Sequence, residues 1–329
     1  IPLDTPKGTF EGVATDPQAN DGKARFKKIV GWIDNARHPA AKPAIVLKLY
    51  LPADAAGPVP VMVSIGDFEL PPGFPKQPGP SAKELVLAHG WGYATYDPYL
   101  VQADNGAGLT EGIIGLVNAG RPRSPDQWGA LAAWAWGLSR VIDYLETDPA
   151  VDARRLGVEG HSRFGKTALV AAALEPRWAI AYASCSGEGG AKLHRHDFGE
   201  SVDIVAWGGE YHWMAGNFLK YAGRWNELPI DQHELIALVA PRPLFVTGGT
   251  EDLWPDPVGM FEACVAAGPV YRLLGAGDLG TADMPAPDTL VTDGDLAFRL
   301  HTGGHTDRPN WPTFLQFADK YFTPGAAKP

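Results

Sequence analysis

The chain has 329 residues, with 28 Lys and Arg against 38 Asp and Glu, so its formal net charge is −10 at pH 7. This acidic balance argues against nucleic acid or an anionic membrane as a partner. The sequence contains no apolar run of roughly 18 residues, so it predicts no transmembrane helix. We therefore expect a soluble monomer, long enough to bury a sizeable core, that binds a small or neutral polymeric ligand.

The chain start and the two cysteines bear on where the protein acts. Ile1 to Asp4 is neither an initiator methionine nor a signal peptide, which is typical of a mature or trimmed chain whose leader is absent. Cys185 and Cys264 allow one disulfide or two free thiols. Because their neighbours predict a strand and a helix respectively, we expect buried free thiols.

The first hundred residues predict strands separated by irregular segments. Up to about residue 42 we expect an irregular start and one strand, and the Pro- and Gly-rich stretch at 70–80 predicts a loop. A short helix is predicted from Ser81. The strands are predicted over 26–33, 44–51, 59–65 and 92–96. The continuous apolar character of 59–65 favours a sheet covered on both faces.

A long connection with little periodicity, residues 97–123, comes next. Such loops in compact domains are usually functional or disordered. The polar and aromatic residues that suit a site wall here are Asp97, Tyr99, Gln102, Asp104 and Asn105. A helix is then predicted over 127–146, with Ser124 as its cap. Its tryptophans, at 128, 134 and 136, could form a sugar platform, but core packing is the favoured interpretation because the helix is apolar nearly all round.

Residues 156–166 predict a strand, a sharp turn and a helix, with Ser162 at the turn. This layout is that of a nucleophile elbow, in which the turn exposes the serine hydroxyl and the next backbone N–H faces a developing oxyanion. The usual motif has glycine two residues after the serine, whereas here it comes one residue later, at Gly165. The alternative is an ordinary strand–helix turn with a buried or capping serine.

The second half continues the alternation of strands and helices. After a strand at 178–184, residues 186–232 predict an insertion over the carboxyl end of the sheet. Further helices are predicted over 231–239, 258–267 and 311–321, and further strands over 243–247, 270–274 and 296–300. This order predicts a single α/β domain, 1–329, with a doubly wound, mostly parallel sheet in a three-layer αβα sandwich of the α/β-hydrolase type. Ligands bind such sheets outside the carboxyl ends of the strands.

A serine nucleophile needs a histidine base, which comes last in the chain order of α/β-hydrolases. His305 is favoured over His301, because Gly303 and Gly304 let its loop reach over the site and because it lies nearer the final helix. The alternative role for His301 is a structural hydrogen bond at a strand end.

The triad acid is expected after the strand at 243–247. Asp252 fits this placement, with Glu251 as the alternative. Asp256, directly before Pro257, is predicted to cap a helix.

Four pieces of the sequence resemble the glucuronoyl esterases, carbohydrate esterase family 15. They are G-H-S-R-F-G-K at 160–166, S-G-E-G-G-A at 186–191, the A-P-R-P-L-F-V run at 240–246 with its E-D-L-W-P-D-P sequel, and G-G-H at 303–305. The resemblance implies an esterase that cleaves the bond between the 4-O-methyl-glucuronic acid of xylan and lignin alcohols. It also implies action outside the cytoplasm, by secretion or in the periplasm, with no cofactor and no metal.

The resemblance implies roles for individual residues. Ser162 becomes the nucleophile and His305 the base, while Arg163 stabilises the oxyanion with its backbone N–H and guanidinium. The uronate contacts carried over are Lys166, Glu200 and Trp254, with a looser match for Glu210. Many family members place the acid just before the S-G-x-G-G-A motif, but here that position is Cys185. This departure supports an acid after the later strand, at Asp252.

Other functions compete with this interpretation. A metal site is one, because four residues could supply ligands: His194, His196, Asp197 and His212. A different carbohydrate esterase, such as an acetyl-xylan esterase, would keep the same triad, although Arg163 and Lys166 favour a uronate. A non-catalytic carbohydrate-binding protein would not need the triad residues in chain order. A peptidase or lipase would show a more apolar approach to the serine.

Overall fold

The computed structural model describes residues 5, 6, 8–66 and 79–322, and within them ten strands form one sheet. The strands are Gly8–Ala19 (β1), Ala24–Ile33 (β2), Ala44–Pro52 (β3), Val59–Ile65 (β4), Gly92–Tyr96 (β5), Val151–His161 (β6), Ile180–Ser184 (β7), Leu244–Gly249 (β8), Leu290–Thr292 (β9) and Leu296–His301 (β10). Their spatial order is β1-β2-β3-β5-β4-β6-β7-β8-β10-β9. The predicted loop at 70–80 lies mostly outside the described residues.

Eight α-helices flank this sheet within the described residues. They are Ala82–Ala88 (α1), Gly112–Val117 (α2), Ala130–Leu145 (α3), Arg163–Leu174 (α4), Val202–Trp207 (α5), Gln232–Ala237 (α6), Pro257–Leu273 (α7) and Trp311–Phe322 (α8). Short 3-10 helices lie at Gly106–Thr110, Tyr211–Trp213, Gly216–Tyr221, Trp225–Glu227 and Arg308–Asn310. None of the helices in this part of the chain is long and apolar enough to cross a membrane.

The centre of the sheet, from β5 through β4, β6, β7 and β8 to β10, is parallel. The strands at its margins, β1 to β3 on one side and β9 on the other, pair antiparallel. In the parallel part His161 pairs with Ser184, and His301 pairs with Gly249. The carboxyl ends of β6, β7, β8 and β10 therefore meet along one edge of the sheet.

Both faces of the parallel centre of the sheet are covered, as the apolar strands predict. Along β7, Ile180 and Tyr182 pack with α1 and α8, while Ala181 and Ala183 face the larger core that includes α3, α4, α6 and α7. The predicted three-layer α/β fold is therefore confirmed. Trp134 and Trp136 of α3 are at most 2 % exposed, so the core interpretation of this helix is also confirmed.

Three expectations about single elements were wrong. The strand predicted at 270–274 is the last part of α7, where Tyr271 is fully buried against the core; a short apolar run does not distinguish a strand from a buried helix. The helix predicted from 127 begins at Ala130 after Gly129, and Ser124 bonds Asp126 in the preceding turn instead of capping it. The irregular start includes β1, which is mostly exposed and so lacks an apolar pattern.

Candidate active site

Ser162 stands at a strained turn between β6 and α4. Its φ is +61°, a value that non-glycine residues rarely adopt. The backbone N–H of Ser162 donates to the carbonyl of Ser184, at the end of β7, over 2.8 Å. This bond holds the turn against the sheet and leaves the serine at the wall of a cavity. Residue 162 thus has the backbone geometry of a nucleophile elbow.

Two glycines make this turn possible. A Cβ atom on Gly160 would lie 2.0 Å from the carbonyl oxygen of Phe164, and one on Gly165 would lie 2.7 Å from that of Ser184. No side chain fits at either position without moving backbone. Gly165 therefore allows the close approach of helix and strand, although it comes one residue later than in the usual motif.

His305 and Asp252 form a dyad on the same cavity. Nδ1 of His305 lies 2.6 Å from Oδ2 of Asp252, whose side chain is 8 % exposed. Because an ionised carboxylate only accepts, the imidazole carries its proton on Nδ1 and keeps the Nε2 lone pair free. Ser162, His305 and Asp252 all line this cavity, whereas the neighbouring Glu251 is exposed.

The loops that carry the acid and the base are bonded to each other. The backbone N–H of Glu251 donates to the carbonyl of Gly303 over 2.8 Å, and the N–H of Gly303 donates to Oγ1 of Thr250 over 3.0 Å. Gly303 has a φ of +117°, so it adopts a conformation that favours glycine. These bonds fix the position of His305 relative to Asp252.

His301 is fully buried and both of its ring nitrogens have partners. Asn310 donates to Nδ1 over 3.0 Å, so Nε2 carries the proton and donates to the carbonyl of Gly304 over 2.9 Å. Arg299 in turn donates to the side-chain oxygen of Asn310, which fixes the orientation of the amide. The geometry gives His301 the structural role that the sequence offered as its alternative.

A second imidazole packs on the dyad. The ring of His161 lies 4.2 Å from that of His305, centroid to centroid, and its Nδ1 is 3.2 Å from Oγ of Ser184. Burial, followed by the charge of His305, lowers the pKa of His161 to about 4. His161 is therefore neutral near pH 7, and it adds no positive charge beside the base.

Arg163 and Lys166, both on the first turn of α4, bring cationic groups to the cavity. Arg163 donates to Oδ2 of Asp104, and its guanidinium lies 5.4 Å from the ring of Trp213. Lys166 is 2 % exposed and donates to the carbonyl of Ser186 over 2.8 Å. The serine thus lies beside one half-exposed and one buried cation.

Glu200 is the ionic partner of Lys166. Their Oε2 and Nζ atoms are 2.5 Å apart, and Glu200 also accepts from the backbone N–H of Glu188 over 3.0 Å. Trp254 lies near them, because its carbonyl accepts from the backbone N–H of Glu200 over 2.6 Å. The side chain of Trp254 is 55 % exposed at the cavity wall. The three residues predicted to contact a uronate are therefore gathered at one place.

The cavity has a volume of about 280 Å³. Its lining combines ionic, aromatic and apolar side chains: Ser162, Arg163, Lys166, Cys185, Glu200, Ile204, Glu210, Trp213, Asp252, Trp254, Pro255 and His305. The seven site residues predicted from the sequence all belong to this set. Such a cavity suits a small polar group whose carbonyl carbon lies next to Ser162.

Comparison with known proteins identifies the family. A family profile described as "Glucuronyl esterase, fungi" matches residues 37–275. The chain is 36 % identical to "Carbohydrate esterase MZ0003", from an unknown prokaryotic organism, over 98 % of this chain and 81 % of that protein. The structure of a CE15 glucuronoyl esterase from Teredinibacter turnerae superposes with a TM-score of 0.90 at 43 % identity, covering 97 % of this chain and 80 % of that one.

This chain belongs to the glucuronoyl esterase family, carbohydrate esterase family 15. A fungal relative, 4-O-methyl-glucuronoyl methylesterase 1 of Wolfiporia cocos, is 42 % identical over a shorter match that spans 45 % of this chain and 38 % of that protein. The sequence match to this fungal relative therefore covers less than half of either protein. Membership in this family makes the protein a carboxylic ester hydrolase with the α/β-hydrolase fold.

Cys185 is the residue at which the sequence departs from the pattern that the resemblance to glucuronoyl esterases implies. Cys185 has a φ of +46° and is 2 % exposed. Its Sγ lies within 4.8 Å of ligand atoms of both Asp252 and His305. Burial, and then the charge of Asp252, raises the pKa of this thiol, so Cys185 stays neutral beside the dyad. Cys264 is also a buried free thiol, as the sequence predicted.

The metal site considered from the sequence does not assemble in this glucuronoyl esterase. Three of its histidines bind three different carboxylates: His194 bonds Glu188, His196 bonds Asp256 and His212 bonds Asp104. Asp256 also caps α7, as predicted, by accepting from the backbone N–H of Gly259. Among the described residues, one group of three His, Cys, Asp or Glu side chains brings its potential ligand atoms within 4.8 Å of one another. That group is Cys185, Asp252 and His305.

The contribution of Trp213 was not predictable from the sequence, and Asp104 was expected only as part of the site wall. Asp104 accepts from Nε2 of His212 over 2.8 Å, from Nε1 of Trp213 over 2.7 Å and from Arg163. Burial acts to raise the pKa of Asp104, but these donors outweigh it and lower the pKa to about 2. No sequence spacing indicates that His212 and Trp213 bond Asp104, because these contacts depend on the path of the segment 186–232.

Proposed function

We propose that this chain hydrolyses the ester between the 4-O-methyl-glucuronic acid of glucuronoxylan and lignin alcohols. The observation that carries the proposal is a serine elbow and an Asp–His dyad on one cavity that also holds Arg163 and Lys166. Relatives named 4-O-methyl-glucuronoyl methylesterase support the same substrate class. Because this substrate is a cell-wall polymer, the proposal also places the protein outside the cytoplasm, secreted or periplasmic.

In the acylation step, Oγ of Ser162 attacks the ester carbonyl while Nε2 of His305 takes its proton. Asp252 holds the imidazole in the required tautomer and stabilises the imidazolium that forms. The tetrahedral oxygen gains negative charge, which the backbone N–H and the guanidinium of Arg163 stabilise. The intermediate collapses as His305 gives the proton to the departing alcohol, leaving a uronoyl ester on Ser162.

Deacylation repeats these transfers with water. His305 takes a proton from water as the hydroxide adds to the acyl carbonyl, and returns it to Oγ of Ser162 as the ester bond breaks. The products are the alcohol and the free uronate. Its carboxylate forms next to Arg163, whose positive charge suits both the oxyanion and this product.

Lys166, Glu200 and Trp254 are proposed to bind the uronate ring. The ammonium and the carboxylate of the buried pair offer a donor and an acceptor for ring hydroxyls, and the exposed indole offers an apolar face. An acetyl group has no hydroxyls for these partners. The pair therefore favours a uronate over an acetate as the acyl group.

The selectivity test compares two esters with the same leaving alcohol, benzyl glucuronate and benzyl acetate. Because the sugar contacts exist only for the uronate, we expect kcat/KM for benzyl glucuronate to be higher by at least about a hundredfold. Acetylated xylan serves as the polymeric alternative substrate. Equal turnover of the two benzyl esters, or faster release of acetate from xylan, would contradict the proposed substrate class and favour an acetyl-xylan esterase.

A further inference from the structure

Asp104 joins three separate parts of the active-site wall. Its Oδ1 accepts from His212 over 2.8 Å and from Trp213 over 2.7 Å, while its Oδ2 accepts from Arg163. The two donors to Oδ1 lie in the segment after β7, and Arg163 begins α4 beside the nucleophile. One carboxylate therefore ties the elbow to the segment that covers it.

The segment that carries Asp104 is itself fixed. Gln102, which is fully buried, donates to the carbonyl of Gly108 over 2.7 Å and accepts from the backbone N–H of Ile114 over 3.1 Å. The backbone carbonyl of Gln102 accepts from Nε1 of Trp134, in the core helix α3, over 2.8 Å. Asp104 is thus presented from a rigid support and not from a free loop.

Arg163 needs such a partner because its own side chain is half exposed. The side chain is 43 % exposed, against 12 % for that of Asp104, so without restraint the guanidinium could take several rotamers in solvent. Trp213 adds a second restraint, since its ring lies 5.4 Å from the guanidinium carbon. The carboxylate holds Nη1 of the guanidinium, and the indole lies against the group.

We propose that Asp104 is a positioning residue for the oxyanion chemistry, acting on the reaction through Arg163. Donors stabilise a transition state best when they are oriented before charge develops. Asp104 supplies that orientation, and His212 and Trp213 keep its own carboxylate in place. The inference rests on the proposed role of Arg163, and Asp104 itself is not among the residues that line the cavity.

The expected signature is a loss of kcat with little change in KM. Asp104→Asn keeps a similar shape but removes the charge that holds the guanidinium. Loss of an oxyanion donor typically lowers kcat by about a hundredfold or more. Arg163 keeps its backbone N–H donor in Asp104→Asn, so we expect a smaller fall in kcat, of at least about tenfold. KM for benzyl glucuronate should stay within about threefold, since a positioning effect acts mainly in the transition state.

A double-mutant cycle separates positioning from a structural role. We would measure kcat for the intact chain, Asp104→Asn, Arg163→Ala and the double variant. If Asp104 acts through Arg163, its substitution should change kcat by less than about twofold once the guanidinium is gone. An equal loss in both backgrounds, or an increase of kcat in Asp104→Asn, would overturn the proposal.

Two controls keep the result interpretable. Asp126→Asn removes an exposed carboxylate that bonds only Ser124 among the hydrogen bonds described, and it should leave kcat and the midpoint of thermal unfolding unchanged. The cycle is repeated with p-nitrophenyl acetate, whose hydrolysis passes through the same oxyanion without uronate contacts. The two substitutions could be coupled in kcat for p-nitrophenyl acetate while benzyl glucuronate is not hydrolysed. That result would support the role of Asp104 and contradict the proposed substrate.

Discussion

At the scale of single residues, the acid that partners His305 comes from the loop after β8. Asp252 bonds His305 over 2.6 Å, while Glu251 is exposed and Cys185 lies where the resemblance to the family implies a glutamate. The thiol lies close enough to both dyad members for a longer acidic side chain at position 185 to reach the same imidazole. We propose that the dyad allows two positions for the acid and that this chain uses the later one, Asp252.

Exchange of the acid between these positions tests this account. Asp252→Ala should lower kcat/KM by about a thousandfold to ten-thousandfold, because the imidazole loses its tautomer and orientation. Cys185→Glu in the Asp252→Ala background should recover part of that loss, measured with benzyl glucuronate. Glu251→Gln is the matched control and should stay within about threefold. A normal rate for Asp252→Ala would show that another residue is the acid.

At the scale of elements, the buried pair of Lys166 and Glu200 joins α4 to the segment 186–232, which contributes residues to the cavity wall. Their side chains are 3 % and 8 % exposed. Removal of one partner of a buried pair leaves an unpaired charge and is costly, whereas an exposed pair contributes little. The exposed pair of Arg224 and Glu227 lies in the same segment and offers a comparison.

Glu200→Ala should therefore destabilise the fold by about 3–5 kcal/mol, measured as the free energy of unfolding in urea. The double change Lys166→Met with Glu200→Leu should cost clearly less, since no buried charge remains unpaired. Glu227→Ala should cause a much smaller change than Glu200→Ala. A loss in Glu200→Ala as small as that in Glu227→Ala would show that Lys166 needs no buried counter-charge.

Elements with a strong local pattern were predictable from the sequence, and the others were not. The strands Val59–Ile65 and Gly92–Tyr96 and the helix Trp311–Phe322 were placed within a residue, because apolar runs mark them, whereas only the last part of Val151–His161 was recognised. The turn around Ser162 was found from its small residues. The contacts of Asp104 and Trp213 were not, since they join distant segments and depend on 3-10 helices without apolar periodicity.

At the scale of the whole molecule, a carboxyl group is buried in the sheet beneath the nucleophile. Glu159 of β6 is 2 % exposed and accepts from the hydroxyl of Ser64 over 2.7 Å. Burial, reinforced by the charge of Asp307, raises the pKa of Glu159 well above its ordinary value of 4.5. The folded state therefore keeps this proton at a pH at which the unfolded chain has lost it.

The sign of the resulting pH dependence follows from linkage. Above pH 4.5 the unfolded state binds fewer protons at Glu159 than the folded state, so this group lowers stability as the pH rises. Glu159→Gln removes this loss of stability with rising pH. The unfolding midpoint of the variant, minus that of the intact chain, should therefore increase between pH 4.5 and pH 8. Thermal scans across this range provide the measurement, with Glu251→Gln as an exposed control. A constant or falling difference for Glu159→Gln would mean that Glu159 is ionised in the folded protein.

The most direct test of the whole account is the hydrolysis of benzyl glucuronate by the intact chain and by Ser162→Ala. We expect steady release of benzyl alcohol from the intact chain and its loss by at least about a thousandfold in the variant, with an unchanged unfolding midpoint. That result would establish both the substrate class and the nucleophile. Full turnover by Ser162→Ala would contradict the serine mechanism, and no turnover by either protein would contradict the proposed uronate ester substrate.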